Sequence, residues 1–268
     1  MDMKYKVLGL MTCYNRFEKT KRAIGSLIEG NPQIDFHFLV WDDGSTDGTY
    51  EGLKKNQKVT VYSGNGDSFY SGGMRHIIDI AKQQSEALDY VLLFNDDVLF
   101  NAFSIQKMCQ NPKDLILVGP TCDQQGELSY GGVIRKSKLL PKTKIIKGGY
   151  CDTFNANCVL IPWKIFMELD NIDTAYTHSM GDFDYGFQAT RKGYKIFAVD
   201  EYVGTCDDNC ASGSWRDRKL SRNMRIKLKE SPKGLPYKEW FHYLNKNYSF
   251  ITAVLYSISP YIKILLKI

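Results

Sequence analysis

Residues 34–49, IDFHFLVWDDGSTDGT, contain the stretch that decides how this sequence folds. Residues 34–41 have the length and apolar content of a β-strand, and residues 42–49 combine Asp, Ser and Gly as tight turns do. Such a turn leaves the carboxylates of Asp42 and Asp43 over the end of the strand. The same pattern is also typical of an Asx turn that caps the next helix, so both interpretations stay open at this point.

The chain on either side of this stretch alternates between two hydrophobic periods. Further short apolar runs predict strands at residues 6–12, 58–62, 89–94 and 115–119. Helical spacing predicts helices at residues 16–29, 47–55 and 73–88, the first with Asn15 as its N-cap and Glu18 completing a capping box. Apolar strands that alternate with helices predict an α/β fold, with a mostly parallel sheet covered by helices on both faces. The carboxyl ends of the strands then share one edge, where open α/β sheets bind ligands.

The pattern changes after residue 120, which indicates a second half of the same body. Here we expect a hairpin at 126–140, strands at 158–161 and 194–199, and helices at 162–169 and 181–192. We therefore divide the chain into a body of residues 1–205, with halves 1–120 and 121–205, and a helical tail of residues 206–268.

Two pairs of aspartates lie at the ends of predicted elements, one after a strand and one at the start of a helix. Asp96 and Asp97 come directly after a buried strand, where adjacent carboxylates repel each other and lose solvation. A divalent cation relieves that cost, and hard oxygen ligands suit Mg²⁺ or Mn²⁺. Asp182 and Asp184 open a late helix, where a carboxylate either caps the helix or acts as a general base. A solvated loop and simple helix capping are the alternatives.

Composition excludes several classes of protein. The chain has 268 residues, of which 43% are hydrophobic and 24% charged, and this is ordinary globular composition. It excludes a disordered protein, a collagen and a multi-pass membrane protein. Seven cysteines and an amino-terminal stretch without a secretory pattern favour free thiols in the cytoplasm.

The tail is basic, aromatic and then apolar. Residues 216–233 carry eight basic side chains against two acidic ones, and residues 248–262 carry no charge. This favours an interfacial helix on an anionic membrane leaflet. Packing on the body or on a second copy, as a homo-oligomer, is the alternative. No recognisable module accompanies the basic segment, so we expect no nucleic-acid binding.

Four motifs in this order resemble those of the family 2 glycosyltransferases with the GT-A fold. They are residues 12–16 (TCYNR), 41–49 (WDDGSTDGT), 95–97 (NDD) and 181–184 (GDFD), and residues 182–196 extend the last one. The resemblance covers roughly residues 4–205. It implies a Rossmann-like nucleotide-binding half, a mixed acceptor half and an inverting, metal-dependent transfer of a hexosyl or deoxyhexosyl group from a nucleoside diphosphate.

The resemblance also implies roles for individual residues. Asp182 would be the catalytic base, with Asp184 in reserve, and Asp97 would bind Mg²⁺ or Mn²⁺. The nucleotide-sugar would be bound by Thr12, Tyr14, Asn15, Arg16, Asp43, Gly72, Gly73, Asn95 and Asp96. Two departures are Asn95, where relatives begin the metal motif with Asp, and residues 203–208, where many relatives carry a His and this chain has none.

The same resemblance, together with the tail, predicts the substrates and the cellular location. UDP or dTDP is the expected carrier, and a glycan, lipid-linked in cell-surface polysaccharide synthesis, is the expected acceptor. The protein is expected at the cytoplasmic, inner face of the membrane. A sugar-phosphate nucleotidyltransferase on a similar sheet and a non-catalytic glycan-binding or partner subunit remain the alternatives.

Overall fold

The computed structural model describes residues 4–86, 88–207 and 212–266. The first half contributes, in chain order, β1 (Tyr5–Cys13), α1 (Phe17–Gly30), β2 (Ile34–Asp42), α2 (Thr49–Leu53), β3 (Val59–Ser63), α3 (Phe69–Lys82), β4 (Tyr90–Phe94), β5 (Leu99–Phe100), α4 (Ser104–Cys109) and β6 (Leu115–Val118). This is the strand–helix alternation that the sequence predicts.

The second half is built from shorter elements. They are β7 (Thr121–Cys122), β8 (Leu128–Tyr130), β9 (Gly132–Arg135), β10 (Thr143–Ile146), β11 (Gly149–Cys151), β12 (Thr153–Phe154), β13 (Cys158–Pro162), α5 (Trp163–Glu168), α6 (Gly181–Arg191), β14 (Lys195–Ala198) and β15 (Gly204–Thr205). The tail then forms α7 (Arg222–Glu230), α8 (Tyr237–Asn247) and α9 (Phe250–Leu266). Within the described residues, no helix is long and apolar enough to cross a bilayer.

One large sheet organises the molecule. Its eight strands lie in the order β11-β14-β6-β13-β4-β1-β2-β3. Strands β1, β2, β3 and β4 pair in parallel, whereas β13 runs antiparallel to both β4 and β6. The fold is therefore the mixed α/β architecture that was predicted. Two small sheets, β10-β9-β12 and β5-β15-β7-β8, flank it.

The sheet is buried on both faces, which explains its continuous apolar strands. In β4, Val91 and Leu93 join the core beneath α3 and α6, while Leu92 and Phe94 join the core beneath α1 and α4. The tail packs on the first of these cores through Tyr243 and Leu244 of α8. Both faces of the sheet are thus covered.

The start of α1 differs from the prediction. Its first N–H, from Phe17, donates to Asp47 Oδ2 at 3.1 Å. Asn15 lies outside the helix in a left-handed conformation with φ 51°. The predicted capping box of Asn15 and Glu18 is therefore wrong, because the cap comes from a side chain thirty positions away.

Two further boundaries differ from the sequence prediction. Helix α3 spans 69–82 rather than 73–88, since the Asp43 carboxylate accepts the N–H of Phe69 at 2.9 Å and so fixes where the helix begins. The single hairpin predicted at 126–140 is instead two hairpins, because β8 pairs with β7 and β9 pairs with β10.

Candidate active site

Three loops that follow β1, β2 and β4 meet at the carboxyl edge of the large sheet. The Asn15 N–H donates to Ser45 Oγ at 2.8 Å, and Asn15 Oδ1 accepts the N–H of Thr46 at 2.7 Å. Arg16 Nη1 reaches the other way and donates to Asp96 Oδ1 at 2.9 Å. Because β1 lies between β2 and β4, its loop touches both neighbours. Three of the four sequence motifs are therefore in direct contact.

The Arg16 guanidinium is shared by the two aspartates of the third motif. Arg16 Nη1 is also 3.3 Å from Asp97 Oδ2. Asp96 is buried, and this burial raises the pKa of its carboxyl group while Arg16 opposes the rise. Asp96 in turn raises the pKa of Arg16. Asp97 is the exposed member of the pair, so its carboxylate is accessible to a ligand.

A cysteine lies in residues 203–208, the segment for which the resemblance implies a His in many relatives. The Cys206 thiol donates to Asp97 Oδ1 at 3.5 Å and accepts from Asn157 Nδ2 at 3.5 Å. Burial raises the pKa of this thiol to about 12, so it is neutral at physiological pH. Asp208, in the same segment, lies outside the described residues.

The donor set fits a sparse metal site. In residues 4–86, 88–207 and 212–266, no three His, Cys, Asp or Glu side chains converge as a metal-binding group. Mg²⁺, however, is commonly held by one or two carboxylates together with substrate phosphates and water. The exposed Asp97 carboxylate would be the ligand from this chain, with Asp96 and Arg16 behind it.

Asp43 is committed to the backbone of the loop that leads into α3. Its Oδ1 accepts the N–H groups of Gly66 and Ser68, each at 3.2 Å, and its Oδ2 accepts that of Phe69 at 2.9 Å. The side chain is only 4% exposed. A carboxylate offers about four acceptor positions, and three are in use here. Asp43 therefore shapes the wall of the predicted nucleotide pocket by holding residues 66–69.

Two aromatic side chains at this wall, Trp41 and His76, are not among the residues predicted above to bind the nucleotide-sugar. The Trp41 indole stacks on the His76 ring with centroids 4.3 Å apart and planes 18° apart. Trp41 Nε1 is buried without a hydrogen-bond partner in the described part of the chain. A buried indole N–H without an acceptor is unusual and marks a place where a ligand could bind. The signal in the sequence was the Trp directly before the two aspartates.

The remaining predicted nucleotide-binding residues are placed as follows. A Cβ on Gly73 would lie 2.5 Å from Thr12 Oγ1, so this glycine lets α3 pack against the end of β1. Gly72 has more room, since its nearest atoms would be 3.4 and 3.5 Å away. Tyr14 is half exposed beside the loop of β1. The Asn95 N–H is 3.4 Å from the carbonyl of Asn157 and joins β4 to β13.

Asp182 lies at the first turn of α6. Its Oδ2 accepts the N–H of Ala156 at 3.2 Å, and its Oδ1 accepts the N–H of Phe183 at 2.8 Å. Burial raises the pKa of this carboxyl group to about 6, and the two N–H donors oppose the rise. Such a group is mostly ionised at pH 7 and still basic enough to take a proton.

Asp182 faces the same edge as the other motifs. Residue 156, which binds it, is next to Asn157, whose carbonyl contacts Asn95 and whose amide contacts Cys206. On the other side, a Cβ on Gly181 would lie 2.4 Å from Ser71 Oγ in the first turn of α3. The fourth motif therefore joins the first three through β13 and α3.

Asp184, the reserve base, points toward the tail. It is only 2% exposed, and Lys246 Nζ donates to its Oδ2 at 2.7 Å. Asn247 Nδ2 donates to its Oδ1 at 2.9 Å, and Arg191 lies 3.5 Å away. These partners bind α6 to α8, so the geometry favours a structural role for Asp184.

His178 is a further residue that the sequence reasoning missed. Its Nδ1 accepts the N–H of Tyr70 at 3.4 Å, so the neutral ring carries its proton on Nε2. Burial lowers the pKa of this imidazole to about 4, with the positive charges of Lys233 and Arg16 adding to the effect. The ring is thus a neutral donor in the wall between α3 and α6, four positions before Asp182.

Backbone strain is concentrated around the same edge. Four non-glycine residues of the described chain have positive φ, and three of them, Asn15, Phe69 and Met180, begin or precede the helices of the site. Such conformations cost of order 1–3 kcal/mol each and persist where the surroundings impose them.

Comparison with known proteins agrees with this geometry. The sequence model of glycosyl transferase family 2 matches residues 10–159, which is more than half of the chain and includes three of the four motifs. No curated protein matches. Among solved structures, a mannosyltransferase from Pyrobaculum calidifontis, in complex with GDP-Man and Mn²⁺, is similar with a TM-score of 0.55 and 13% identity. The alignment covers 98% of this chain and 74% of that one, which shows a shared GT-A-like fold. The chain therefore belongs to glycosyltransferase family 2.

Proposed function

We propose that the protein is an inverting glycosyltransferase that moves a sugar from a nucleoside diphosphate to a hydroxyl group of a glycan. The observation that carries this proposal is the convergence of four motifs on one sheet edge. The loop bound by Asp43, the Arg16–Asp96–Asp97 cluster and Asp182 are the groups of these motifs that carry the proposed chemistry.

Asp182 is the proposed general base. An acceptor hydroxyl must lose its proton as it attacks the anomeric carbon, and a carboxylate with a pKa of about 6 can accept it at neutral pH. The N–H groups of Ala156 and Phe183 hold the two carboxylate oxygens in place. The base is separate from the Asp96–Asp97 pair, so proton removal and diphosphate binding use different side chains.

The Arg16–Asp96–Asp97 cluster is the proposed diphosphate site. Asp97 would hold Mg²⁺ or Mn²⁺, which neutralises charge on a leaving diphosphate when bound. Arg16 is half exposed and presents a planar donor suited to phosphate oxygens. Asp96 keeps that guanidinium at the edge of the sheet. The Mn²⁺ in the Pyrobaculum neighbour supports testing manganese first.

The nucleotide is proposed to lie between the loops after β1 and β2 and the start of α3. The Trp41–His76 stack and the Asp43-bound loop form the wall there. UDP or dTDP stays our prediction for the carrier. GDP belongs in the same test because the neighbour contains GDP-Man.

The acceptor is proposed to be a glycan, lipid-linked in polysaccharide synthesis, used at the inner membrane face with the tail as the contact. Support comes from α9, whose side chains Phe250, Ile251 and Leu255 are each more than 60% exposed. Exposed apolar residues of this size on one helix are typical of interaction surfaces.

Two measurements test the proposal. A thermal-shift screen of UDP, dTDP and GDP with Mn²⁺ should raise the melting temperature for one nucleotide, because a ligand that binds the folded state stabilises it. The matching sugar donor should then release nucleoside diphosphate, with the wild type far faster than Asp182→Asn. Release of pyrophosphate from a nucleoside triphosphate would instead indicate a nucleotidyltransferase, and binding without turnover of any donor would indicate a non-catalytic subunit.

A further inference from the structure

The hairpin of β9 and β10 ends in an exposed apolar and basic tip. Residues 135–147 read RKSKLLPKTKIIK and contain no acidic residue. Leu139 is 70% exposed at the tip, and Lys136, Lys138 and Lys142 beside it are also exposed. Nothing in the proposed reaction uses these side chains.

The tip is fixed to the amino-terminal end of α9. Thr252 Oγ1 donates to the carbonyl of Leu139 at 2.7 Å. At the base of the hairpin, Arg135 Nη1 donates to the carbonyl of Asn247 at 3.3 Å, where α8 ends. The hairpin and α9 therefore form one continuous surface rather than two separate ones.

Helix α9 presents an apolar stripe beside this tip. Six of its side chains recur every three or four positions and are between 39% and 71% exposed. They are Ile251, Val254, Leu255, Ile258, Ile262 and Leu265. Thr252, Ala253 and Ser257 lie on the opposite, buried face. The stripe is rimmed by the hairpin lysines at one end and by exposed Lys263 toward the other.

We propose that the hairpin tip and α9 together form a surface that binds an anionic lipid bilayer, with Leu139 inserted among the acyl chains and the lysines at the headgroups. This goes beyond the tail contact proposed above, and the membrane location rests on that proposal. The charges decide against a second copy, because residues 135–147 and 250–266 contain no acid and two such surfaces would repel each other. A negatively charged leaflet complements them.

The experiment is cosedimentation of the full chain with vesicles of phosphatidylcholine, with and without phosphatidylglycerol. Wild type should bind the vesicles that contain phosphatidylglycerol more strongly than those of phosphatidylcholine alone. Lys136→Gln, Lys138→Gln and Lys142→Gln together should lower the partition coefficient about a hundredfold, since each charge near the surface contributes about fivefold. The matched control removes three exposed charges elsewhere, at Lys54, Lys55 and Lys164, and should bind nearly as wild type.

Apolar variants separate the hairpin from the tail. Leu139→Ser should weaken binding about tenfold, and Leu255→Ser with Ile258→Ser should weaken it at least as much. Met167→Ser, at an exposed position on α5, is the control. All of these sites are exposed, so thermal melting should stay near that of wild type.

The outcomes are distinct. Loss of binding in both the hairpin and the α9 variants supports the composite surface. Wild-type binding by the hairpin variants, with loss only in α9, overturns it while keeping the tail contact. If wild type is a dimer and the same variants are monomers that still bind vesicles, the surface belongs to a second copy and the proposal is overturned as well. Asp182→Asn should bind vesicles as wild type does, so lipid binding is scored independently of turnover.

Discussion

Replacing Asp182 with asparagine removes the proposed base while keeping the size of the side chain. Loss of general base catalysis slows a reaction by about a hundredfold to ten-thousandfold. Release of nucleoside diphosphate from the matching sugar donor measures this directly. Nucleotide affinity should stay unchanged, because Asp182 contacts Ala156 and Phe183 rather than the loops after β1 and β2.

The pH dependence of the wild type follows from the raised pKa. Below a pH of about 6 the carboxyl group is protonated and cannot accept a proton, so turnover should fall about tenfold per unit of pH. Above that pH the rate should reach a plateau. The Asp182→Asn protein should lack this step.

The same substitution should change folding stability in the direction opposite to its effect on turnover. Burial raises the folded-state pKa of Asp182 from 3.8 to about 6, so the ionised group lowers the free energy of unfolding by at most about 3 kcal/mol. This penalty is absent below about pH 4 and complete above about pH 6. The variant should therefore gain stability relative to wild type as pH rises through that window. Urea unfolding of both proteins, measured below about pH 4 and above about pH 6, tests this. An unpaired N–H left by the amide offsets part of the gain. Turnover within tenfold of wild type, or a pH profile that keeps its acidic step, would refute the assignment.

Three other substitutions test neighbouring parts of the structure. Asp184→Asn should lower the free energy of unfolding by about 1–3 kcal/mol, because the buried group loses its charge-assisted bonds to the part-exposed side chains of Lys246 and Arg191, and urea unfolding measures the loss. Gly73→Ala should lower it by about 1–3 kcal/mol through overpacking against Thr12. Gly72→Ala, whose added methyl would make only ordinary contacts at 3.4 and 3.5 Å, is the matched control in the same urea unfolding experiment. Asp97→Ala should weaken nucleotide binding in the presence of Mn²⁺ and leave metal-free binding almost unchanged, as titration calorimetry can show.

The central strands were predictable because they are buried on both faces of the sheet. In β4, neighbouring side chains such as Leu92 and Leu93 pack on opposite cores, so the sequence carries an uninterrupted apolar run. Because the carboxyl ends of parallel strands share one edge, the sequence also predicted that the motifs after β1, β2 and β4 lie together. Strand β13 was predicted from its apolar residues. Its antiparallel pairing with β4 was not, because hydrophobic periodicity says nothing about which distant strand a segment pairs with.

Interactions between distant residues account for what the sequence reasoning missed. Asn15 has the spacing of a helix cap, yet its side chain binds the loop after β2, and Asp47 caps the helix instead. The sequence ranks Asp184 behind Asp182 as a candidate base, but it gives no sign that Lys246 and Asn247, more than sixty positions away, bind the Asp184 carboxylate. His178 carried no local signal, since its environment is formed by α3.

The attachment of α8 to Asp184 limits what truncation can reveal about the tail of residues 206–268. A shortened chain ending before residue 237 would strip Lys246 and Asn247 from a carboxylate that is 2% exposed, and would leave Arg191 as its remaining ionic partner. It would also uncover the core that Tyr243 and Leu244 seal. Loss of activity after such a deletion would reflect a destabilised fold. Single substitutions at exposed residues are therefore the better way to assign a role to this region.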